Sequence, residues 1–172
     1  MKFSITNPDN TADNFEIVVG TVADILKDEY AQKAVCRIWR QLIESEKEYR
    51  APFGIVYKKD EYPEDGPILD AMMKSKQKCY LIKTEQGKII GIAFTSDTQF
   101  KNTYYISDVA VDAEYRGKGI GRRLMEFVLE DNVPGLPTLS VDTTNAHAID
   151  MYRSLGFVDY GIKMVLGNSE QK

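Results

Sequence analysis

The feature that most constrains this chain is a cluster of glycines where an apolar run gives way to a helical pattern. Residues 116–121 read Arg-Gly-Lys-Gly-Ile-Gly, and the apolar run before them, which we predict to be a strand, ends near Val111. A glycine in a helix interior costs about 1 kcal/mol relative to alanine, so a purely structural turn would keep only one or two of them. The cluster therefore indicates that a ligand lies directly against the backbone.

The start of a helix favours an anion as that ligand. The first amide N–H groups of a helix have no partner inside the helix, and the helix dipole leaves partial positive charge there. Glycine removes the side chain that would keep a phosphate away from these amides. We therefore predict a phosphate or pyrophosphate site, with four cationic side chains in or beside the loop: Arg116, Lys118, Arg122 and Arg123.

Two common nucleotide motifs are excluded by their spacing. A Walker A loop requires Ser or Thr after its lysine, whereas Lys118 is followed by Gly119. A dinucleotide fingerprint counted from Gly117 requires a further glycine at the position of Arg122. The chain after the loop is also too short for the additional βαβ units of a dinucleotide fold. An unrelated nucleotide-binding domain is therefore ruled out.

Periodicity along the rest of the chain predicts a single α/β (α+β) domain with a mixed sheet. Residues 31–49 carry apolar side chains at helical spacing, and Gln86-Gly87 separates two strand-like runs as a hairpin turn. Apart from a first short strand, the region up to residue 78 reads as helices with breaks. We predict helices at residues 31–49, 68–75, 120–130 and 145–154, and strands at residues 2–6, 79–83, 88–95, 104–111, 138–141 and 157–166.

Composition argues against several classes of protein, including nucleic-acid-binding, membrane-spanning and metal-binding proteins. The 172 residues carry a formal net charge of −4, which argues against the clustered basic face of a nucleic-acid-binding domain. No apolar stretch approaches the about 18 residues of a membrane span, and residues 1–10 lack the apolar core of a secretory leader. Cys36 and Cys79 show neither zinc-ligand spacing nor a disulfide framework. We therefore predict a soluble, cytoplasmic protein without a metal site.

Two segments together resemble the GNAT superfamily of N-acetyltransferases. The family's acyl-CoA motif, Arg/Gln-x-x-Gly-x-Gly/Ala, is matched at residues 116–121, after a strand that ends in Val-Ala-Val. The family's second motif has an Asn at a helix start, a Tyr on that helix and then Gly-Phe, as Asn145, Tyr152 and residues 156–157 do here. The resemblance covers the chain from residue 80 onward.

The resemblance implies a GNAT-like fold, in which a mixed, mostly antiparallel sheet is flanked by helices and its central strands splay apart to admit acetyl-CoA. It implies one N-acetyltransferase domain over residues 1–172, with a mostly helical acceptor-side part at 1–78 and an acyl-CoA-binding part at 79–166. The acetyl group would pass directly to a primary amine of an acceptor, a small molecule or a protein. Exposed edge strands in such folds imply pairing into a homodimer.

The resemblance also implies a set of cofactor-binding residues. In the family, backbone amides of the fourth strand hold the pantetheine arm and polarise the thioester carbonyl, which here points to Val109 and Val111. The pyrophosphate would lie on the glycine loop, and Asn145 would contact the cofactor in addition to capping its helix. The complete set is Val109, Ala110, Val111, Arg116, Gly117, Lys118, Gly119, Ile120, Gly121, Arg122, Asn145 and Tyr152.

Catalysis requires one group to take a proton from the amine and another to protonate the departing thiolate. Tyr152 matches the family's general-acid tyrosine. Asp108, on the strand where many members place an acidic residue, is the candidate base, and it would act through a water or with a raised pKa because a free Asp titrates at about 3.9. Asp142 and a chain of waters are the alternatives. His147, the only histidine, reads as a surface residue.

The alternative function is a non-catalytic acyl-CoA-binding sensor or structural module. Such a module would lose its catalytic groups, whereas Tyr152 and Asp108 are both present. The enzyme is therefore the favoured reading. The acidic residues Glu61, Glu64 and Asp65 are candidates for attracting a cationic acceptor, although a charged loop of this kind is ordinarily a solvated surface.

Overall fold

Six strands form one sheet whose spatial order follows the sequence, in a computed structural model that describes residues 1–6, 12–51, 76–162 and 164. Neighbouring strands run antiparallel except the last pair, in which the sixth strand runs parallel to the fifth. The predicted mixed, mostly antiparallel sheet is confirmed. The strands are β1 (Lys2–Thr6), β2 (Ala12–Thr21), β3 (Lys78–Thr84), β4 (Ile89–Asp97), β5 (Thr103–Val111) and β6 (Leu136–Leu139).

Helices cover both faces of this sheet. In the described part of the chain they are α1 (Val22–Ile25), α2 (Glu29–Arg50), α3 (Ile120–Asp131) and α4 (Ala146–Ser154). One core cluster packs Val35 and Ile38 of α2 against β3 and β4. A second cluster packs Ile120 and Leu124 of α3 against the alternate residues of the same strands, which lie on the opposite face. The sheet is therefore the middle layer of three.

The strand β4 is buried on both faces. Its residues 89–95 are all buried, because α2 covers one face and α3 the other. A strand covered on both sides reads as a continuous apolar run rather than an alternating one. Burying one isoleucine or phenylalanine side chain contributes about 1.5–3 kcal/mol, so this strand anchors the neighbouring β5 firmly.

A β-bulge changes the face on which β5 presents its side chains. The register between β4 and β5 skips Ser107, because Ile106 and Asp108 pair with consecutive residues of β4. Ile106 packs in the cluster beneath α3, whereas Ala110, beyond the bulge, packs in the cluster beneath α2. The bulge therefore turns Asp108 toward α2, a reorientation that simple strand alternation does not predict.

Pairing between β5 and β6 stops part of the way along β5. Only residues Thr103–Ile106 pair with β6, whose four residues end at Leu139. The second half of β5, from Ser107 to Val111, continues along β4 without that neighbour. The pairing ends where the family resemblance implies a splay, and we call the region between the unpaired edge of β5 and the segment after β6 the cleft.

Three secondary-structure predictions need correction. The strand β2 lies in a region that we read as helical, and its alternating pattern places Phe15 and Ile17 in the core. The predicted final strand at 157–166 is wrong within the described residues, where 157–162 form no strand and Val158 and Tyr160 are exposed. The strand predicted at 138–141 is β6, Leu136–Leu139. The predicted helix at 68–75 and the acidic residues 61–65 lie outside the described residues.

None of the helices in the described ranges combines the length and apolar character needed to span a bilayer. The 22-residue α2 is long enough, but it carries many charged side chains and lies against the sheet along one apolar stripe.

Candidate active site

The free edge of β5 presents backbone groups to the cleft. The Asp112 amide donates to the Ile90 carbonyl at 2.8 Å, which makes this a hydrogen-bonded pair of the antiparallel ladder. Because such pairs alternate, Ala110 also bonds to β4, whereas the peptide groups of Val109 and Val111 point the other way. The Val111 carbonyl accepts the Arg116 Nε at 2.9 Å from that side. The Val109 and Val111 amides therefore face the cleft.

The glycine loop lies where β5 leads into α3. Gly117 and Gly119 both have φ of +77°, in the left-handed region that L side chains rarely adopt. Gly119 is the N-cap of α3 and supplies no side-chain hydrogen bond to the helix. A Cβ built on either glycine meets nothing within 4 Å, so the backbone of the loop is open to a ligand. The Ile120 side chain is core, 1% exposed, which leaves only its backbone for a ligand.

The cationic side chains of the loop have local partners. Arg116 bonds to the Val111 carbonyl and lies 3.4 Å from Ser45 Oγ on α2. The Lys118 ammonium is exposed and lies 5.6 Å from the centre of the Tyr115 ring. Arg122 donates to Glu126 at 3.0 Å and to Ser154 Oγ at 2.5 Å, so it connects α3 to the end of α4. Arg116 and Arg122 thus hold the loop and its helix to neighbouring parts of the fold.

Tyr152 lies on α4 in the cluster beneath α3. Its ring meets Phe157 edge-on at 5.8 Å, and the same cluster includes Val109 and Val111 of β5. Burial, with a smaller contribution from nearby Tyr105, raises the pKa of Tyr152 to about 12. The phenol therefore remains protonated at neutral pH, as a proton or hydrogen-bond donor must.

The two candidate bases lie in different surroundings. Asp108 is half-buried on the face toward α2, where its Oδ1 accepts the Trp39 indole N–H at 3.2 Å. Asp142, after β6, accepts the Arg50 Nε at 2.9 Å in an ion pair. The partner of Asp142 is thus a charged guanidinium, whereas the partner of Asp108 is the uncharged Trp39 indole. Of the two, Asp108 is the less constrained.

Asn145 and His147 both lie at the start of α4. Asn145 is the N-cap, and its Oδ1 accepts the Ala148 amide at 3.1 Å, which is the capping bond expected from the sequence. The His147 side chain is exposed, in agreement with its interpretation as a surface residue.

A buried carboxylate that sequence reasoning missed follows β5 directly. Asp112 is 2% exposed and accepts hydrogen bonds from the Arg37 guanidinium and, at 3.5 Å, from Gln41 Nε2. Burial pushes the pKa of the Asp112 carboxyl upward, but the Arg37 hydrogen bond and charge outweigh it and hold that pKa below its usual value. The available signal was the polar spacing of Arg37, Gln41 and Ser45, four residues apart on α2.

We expect Arg37→Met to lower the free energy of unfolding by about 3 kcal/mol, because it leaves the buried Asp112 carboxylate without its charged partner. This value is the low end for a broken buried pair, since the Arg37 side chain is 41% exposed. Urea denaturation measures the change. Arg37→Met/Asp112→Asn should recover most of the loss, and Lys33→Met, which breaks an exposed pair with Glu29, should cost at most about 1 kcal/mol. A loss in Arg37→Met no larger than in Lys33→Met would contradict this account.

The sheet and the glycine loop occur together in a fold that several solved proteins share with this chain. A Bacillus halodurans protein, solved as a tetramutant, superposes with a TM-score of 0.68 at 24% identity, over 89% of this chain and 99% of that one. An aminoglycoside acetyltransferase from a soil metagenome superposes with a TM-score of 0.62 at 17% identity, over 90% and 97%. At such identities the likeness shows the fold alone.

Sequence comparison identifies the family. The model of the Acetyltransferase (GNAT) family matches residues 39–157, and the chain belongs to that family. Acetyl-CoA is the co-substrate that membership of this family implies. The matched range includes the second half of α2, the free edge of β5, the glycine loop and α4.

Individual relatives share shorter regions. An uncharacterized Mycobacterium leprae protein is 30% identical over 157 residues, which are 89% of this chain and 38% of that protein. Zebrafish N-acetylaspartate synthetase is 33% identical over 89 residues, 49% of this chain and 31% of the synthetase. N-alpha-acetyltransferase RimI of Mycobacterium tuberculosis is 40% identical over 60 residues, 35% of this chain and 38% of RimI. The aligned regions thus span well under half the length of these relatives.

Proposed function

We propose that this protein transfers an acetyl group from acetyl-CoA directly to a primary amine. The observation that carries the proposal is the free half of β5, which ends at a loop with two left-handed glycines at the start of α3. The Val109 and Val111 amides and the start of α3 follow one another along the chain. They provide, in order, donors for an extended pantetheine arm and for a pyrophosphate.

In this proposal the Val109 and Val111 amides bind the pantetheine arm as a missing strand would, and one of them polarises the thioester carbonyl. The pyrophosphate lies on the amides of residues 117–121. Lys118 supplies charge at the open side of the loop, while Arg116 positions the loop through the Val111 carbonyl. Asn145 holds α4 in place through its cap, which positions Tyr152 beside the thioester sulfur.

The chemistry is a direct transfer through a tetrahedral intermediate. The lone pair of the neutral amine forms a C–N bond to the thioester carbon, and the C–S bond then breaks with its electrons on sulfur. The amine loses one proton to a base, and the thiolate gains one through the Tyr152 hydroxyl. The Tyr152 phenol is protonated at neutral pH and so has a proton to donate, and the rise of its pKa to about 12 on burial makes it a weaker acid than a free tyrosine.

We propose Asp108 as the group that receives the amine proton, through a water. The bulge at Ser107 turns Asp108 toward α2. The Trp39 indole donates a hydrogen bond to the Oδ1 atom of Asp108 and does not bond to Oδ2. Asp142 is the weaker candidate because Arg50 holds it in an ion pair. A reference lysine-like amine titrates at about 10.4, so at neutral pH most of it is the ammonium, which gives one proton to solvent before attack; the second proton leaves the nitrogen as the amide forms and is the one that Asp108 receives.

The names of related proteins suggest which amines to test. They include an N-acetylaspartate synthetase, an N-alpha-acetyltransferase and an aminoglycoside acetyltransferase in complex with sisomicin. We propose that the acceptor of this protein is also a primary amine, a small molecule or a protein N-terminus. The proposed domain spans residues 1–172, with the acceptor side formed by residues 1–78 and including the strand β2.

Thermal unfolding with and without acetyl-CoA tests cofactor binding. Acetyl-CoA at about 100 times its dissociation constant should add about 2.7 kcal/mol to the free energy of unfolding. Free-thiol release is then measured with aspartate, a peptide with a free N-terminus, and sisomicin. Stabilisation together with release on one amine is the expected result. Absence of stabilisation would contradict the cofactor site, and stabilisation without release on any amine would favour the non-catalytic module.

A further inference from the structure

The helix α2 contacts both sides of the cleft. Its middle bonds to the segment that follows β5, and its last residues bond to the segment that follows β6. These segments flank the separated ends of the two strands. We propose that α2 is a brace that sets the width of the cleft and so positions both sides for acetyl-CoA; this inference rests on the proposed function of the cleft.

The attachment on the β5 side consists of polar contacts made by side chains on successive turns of α2. Arg37 binds the buried Asp112, and Gln41 Oε1 accepts the Ala113 amide at 3.0 Å. One turn further along α2, the Ser45 hydroxyl lies 3.4 Å from Arg116 at the start of the glycine loop. These contacts therefore fix the backbone that leads from β5 into the proposed pyrophosphate site.

The attachment on the β6 side is at the end of α2. Arg50 Nε donates to Asp142 Oδ2 at 2.9 Å, and the Tyr49 carbonyl accepts the Thr144 hydroxyl at 2.8 Å. Arg50 also pairs with Glu46 one turn earlier, which orients the guanidinium along the helix. The loop between β6 and α4 is thus tied to the same helix as the loop after β5.

A brace is needed because the sheet does not hold these segments together. Pairing between β5 and β6 stops at Ile106 and Leu139, so no sheet hydrogen bonds join β5 beyond Ile106 to the segment after β6. A continuous α-helix is stiff over the ten residues from Gln41 to Arg50, whose nine steps of 1.5 Å span about 13.5 Å. Two attachments to one rigid element fix the distance between the two sides before the cofactor arrives.

A pre-set cleft raises affinity because no binding energy is spent on arranging it. If a variant leaves the cleft in its competent width in one tenth of molecules, the apparent dissociation constant rises about tenfold. Gln41 and Arg50 are therefore positioning residues, which act on the cofactor through the loops they hold. Releasing either end frees the cleft, so releasing the second end adds little.

The test is a double-mutant cycle on the affinity for coenzyme A, measured by isothermal titration calorimetry on the full chain. Gln41→Ala and Arg50→Met are each expected to weaken binding about tenfold. The double variant should remain near tenfold, well below the about hundredfold loss expected if the two ends acted independently. Arg50→Lys, which keeps a cation beside Asp142, should recover part of the affinity. Lys33→Met, on the exposed side of the same helix, is the matched control with unchanged affinity.

Urea denaturation of the same variants separates this role from general damage to the fold. The free energies of unfolding should add across the cycle even though the coenzyme A affinities do not. Unchanged affinity in both single variants, or fully additive losses, would overturn the brace. If the wild-type protein bound no coenzyme A, the proposed function itself would fail and the brace with it. Binding by the wild type and equal binding by every variant would overturn the brace alone.

Discussion

Gly119→Glu is expected to weaken acetyl-CoA binding by about 10²–10⁴-fold. Gly119 caps α3 with φ of +77°, and a Cβ placed there meets nothing within 4 Å, so the new side chain enters the space proposed for the pyrophosphate. Its carboxylate repels the phosphates and removes two or more charge-assisted hydrogen bonds to amides, each worth about 1.5–3 kcal/mol. Isothermal titration calorimetry with acetyl-CoA measures the loss.

Gly87→Glu is the matched control for this variant. Gly87 has φ of +79° and also has nothing within 4 Å of a Cβ, but it lies in the turn between β3 and β4. Both substitutions place an L residue in the left-handed region at about 1–2 kcal/mol, so their losses of stability should be similar. Only Gly119→Glu should lose acetyl-CoA affinity. Equal affinities in the two variants would contradict the pyrophosphate assignment.

Tyr152→Phe is expected to lower kcat by about 10²–10⁴-fold, the range for loss of a general acid. The substitution keeps the ring that packs edge-on against Phe157 and removes only the hydroxyl. The departing thiolate then leaves without a proton donor, while the contacts of acetyl-CoA with the backbone remain. Steady-state kinetics with the acceptor found by thiol release gives kcat, and calorimetry should give an unchanged acetyl-CoA affinity.

The pH dependence provides a second readout for Tyr152. Its pKa is raised to about 12, so the protonated form that donates is retained as pH rises, and the wild-type kcat should not fall through loss of this proton below about pH 11. Tyr160→Phe is the control, because that side chain is 98% exposed. A kcat in Tyr152→Phe equal to that in Tyr160→Phe would remove Tyr152 as the acid.

The parts of the fold that sequence reasoning predicted correctly are those with local causes. The apolar spacing on α2 and α3 follows from one helix packing on one face, and the turn at Gly87 follows from a backbone that glycine favours. The strand β2 was missed because only Phe15 and Ile17 of its ten residues are buried, which leaves a weak alternating signal. The strand predicted at 157–166 rested on a local apolar run, and in its described part Val158 and Tyr160 are exposed and pair with no other strand.

For the candidate site, too, sequence reasoning found the features with local causes and missed those that depend on distant contacts. Sequence reasoning located the glycine loop, the Asn145 cap and Tyr152, whose roles as cofactor and acid residues stay predictions. It also named Asp108 and Asp142, but it offered no means of ranking them. Their ranking depends on Trp39 and Arg50, which are 69 and 92 residues away in the chain. No local pattern encodes such partners.

What the sequence by itself determined is the glycine loop at the start of a helix, because the glycines, the helix start and the positive charges all lie within a few consecutive residues. It also determined the class of fold and the family. Only the tertiary structure decided the direction of Asp108, the burial of Asp112 against Arg37 and the attachment of α2 to both sides of the cleft. Each of these depends on strand register or on contacts between elements far apart in the chain, and side-chain geometry across such contacts is fixed by packing rather than by local propensity.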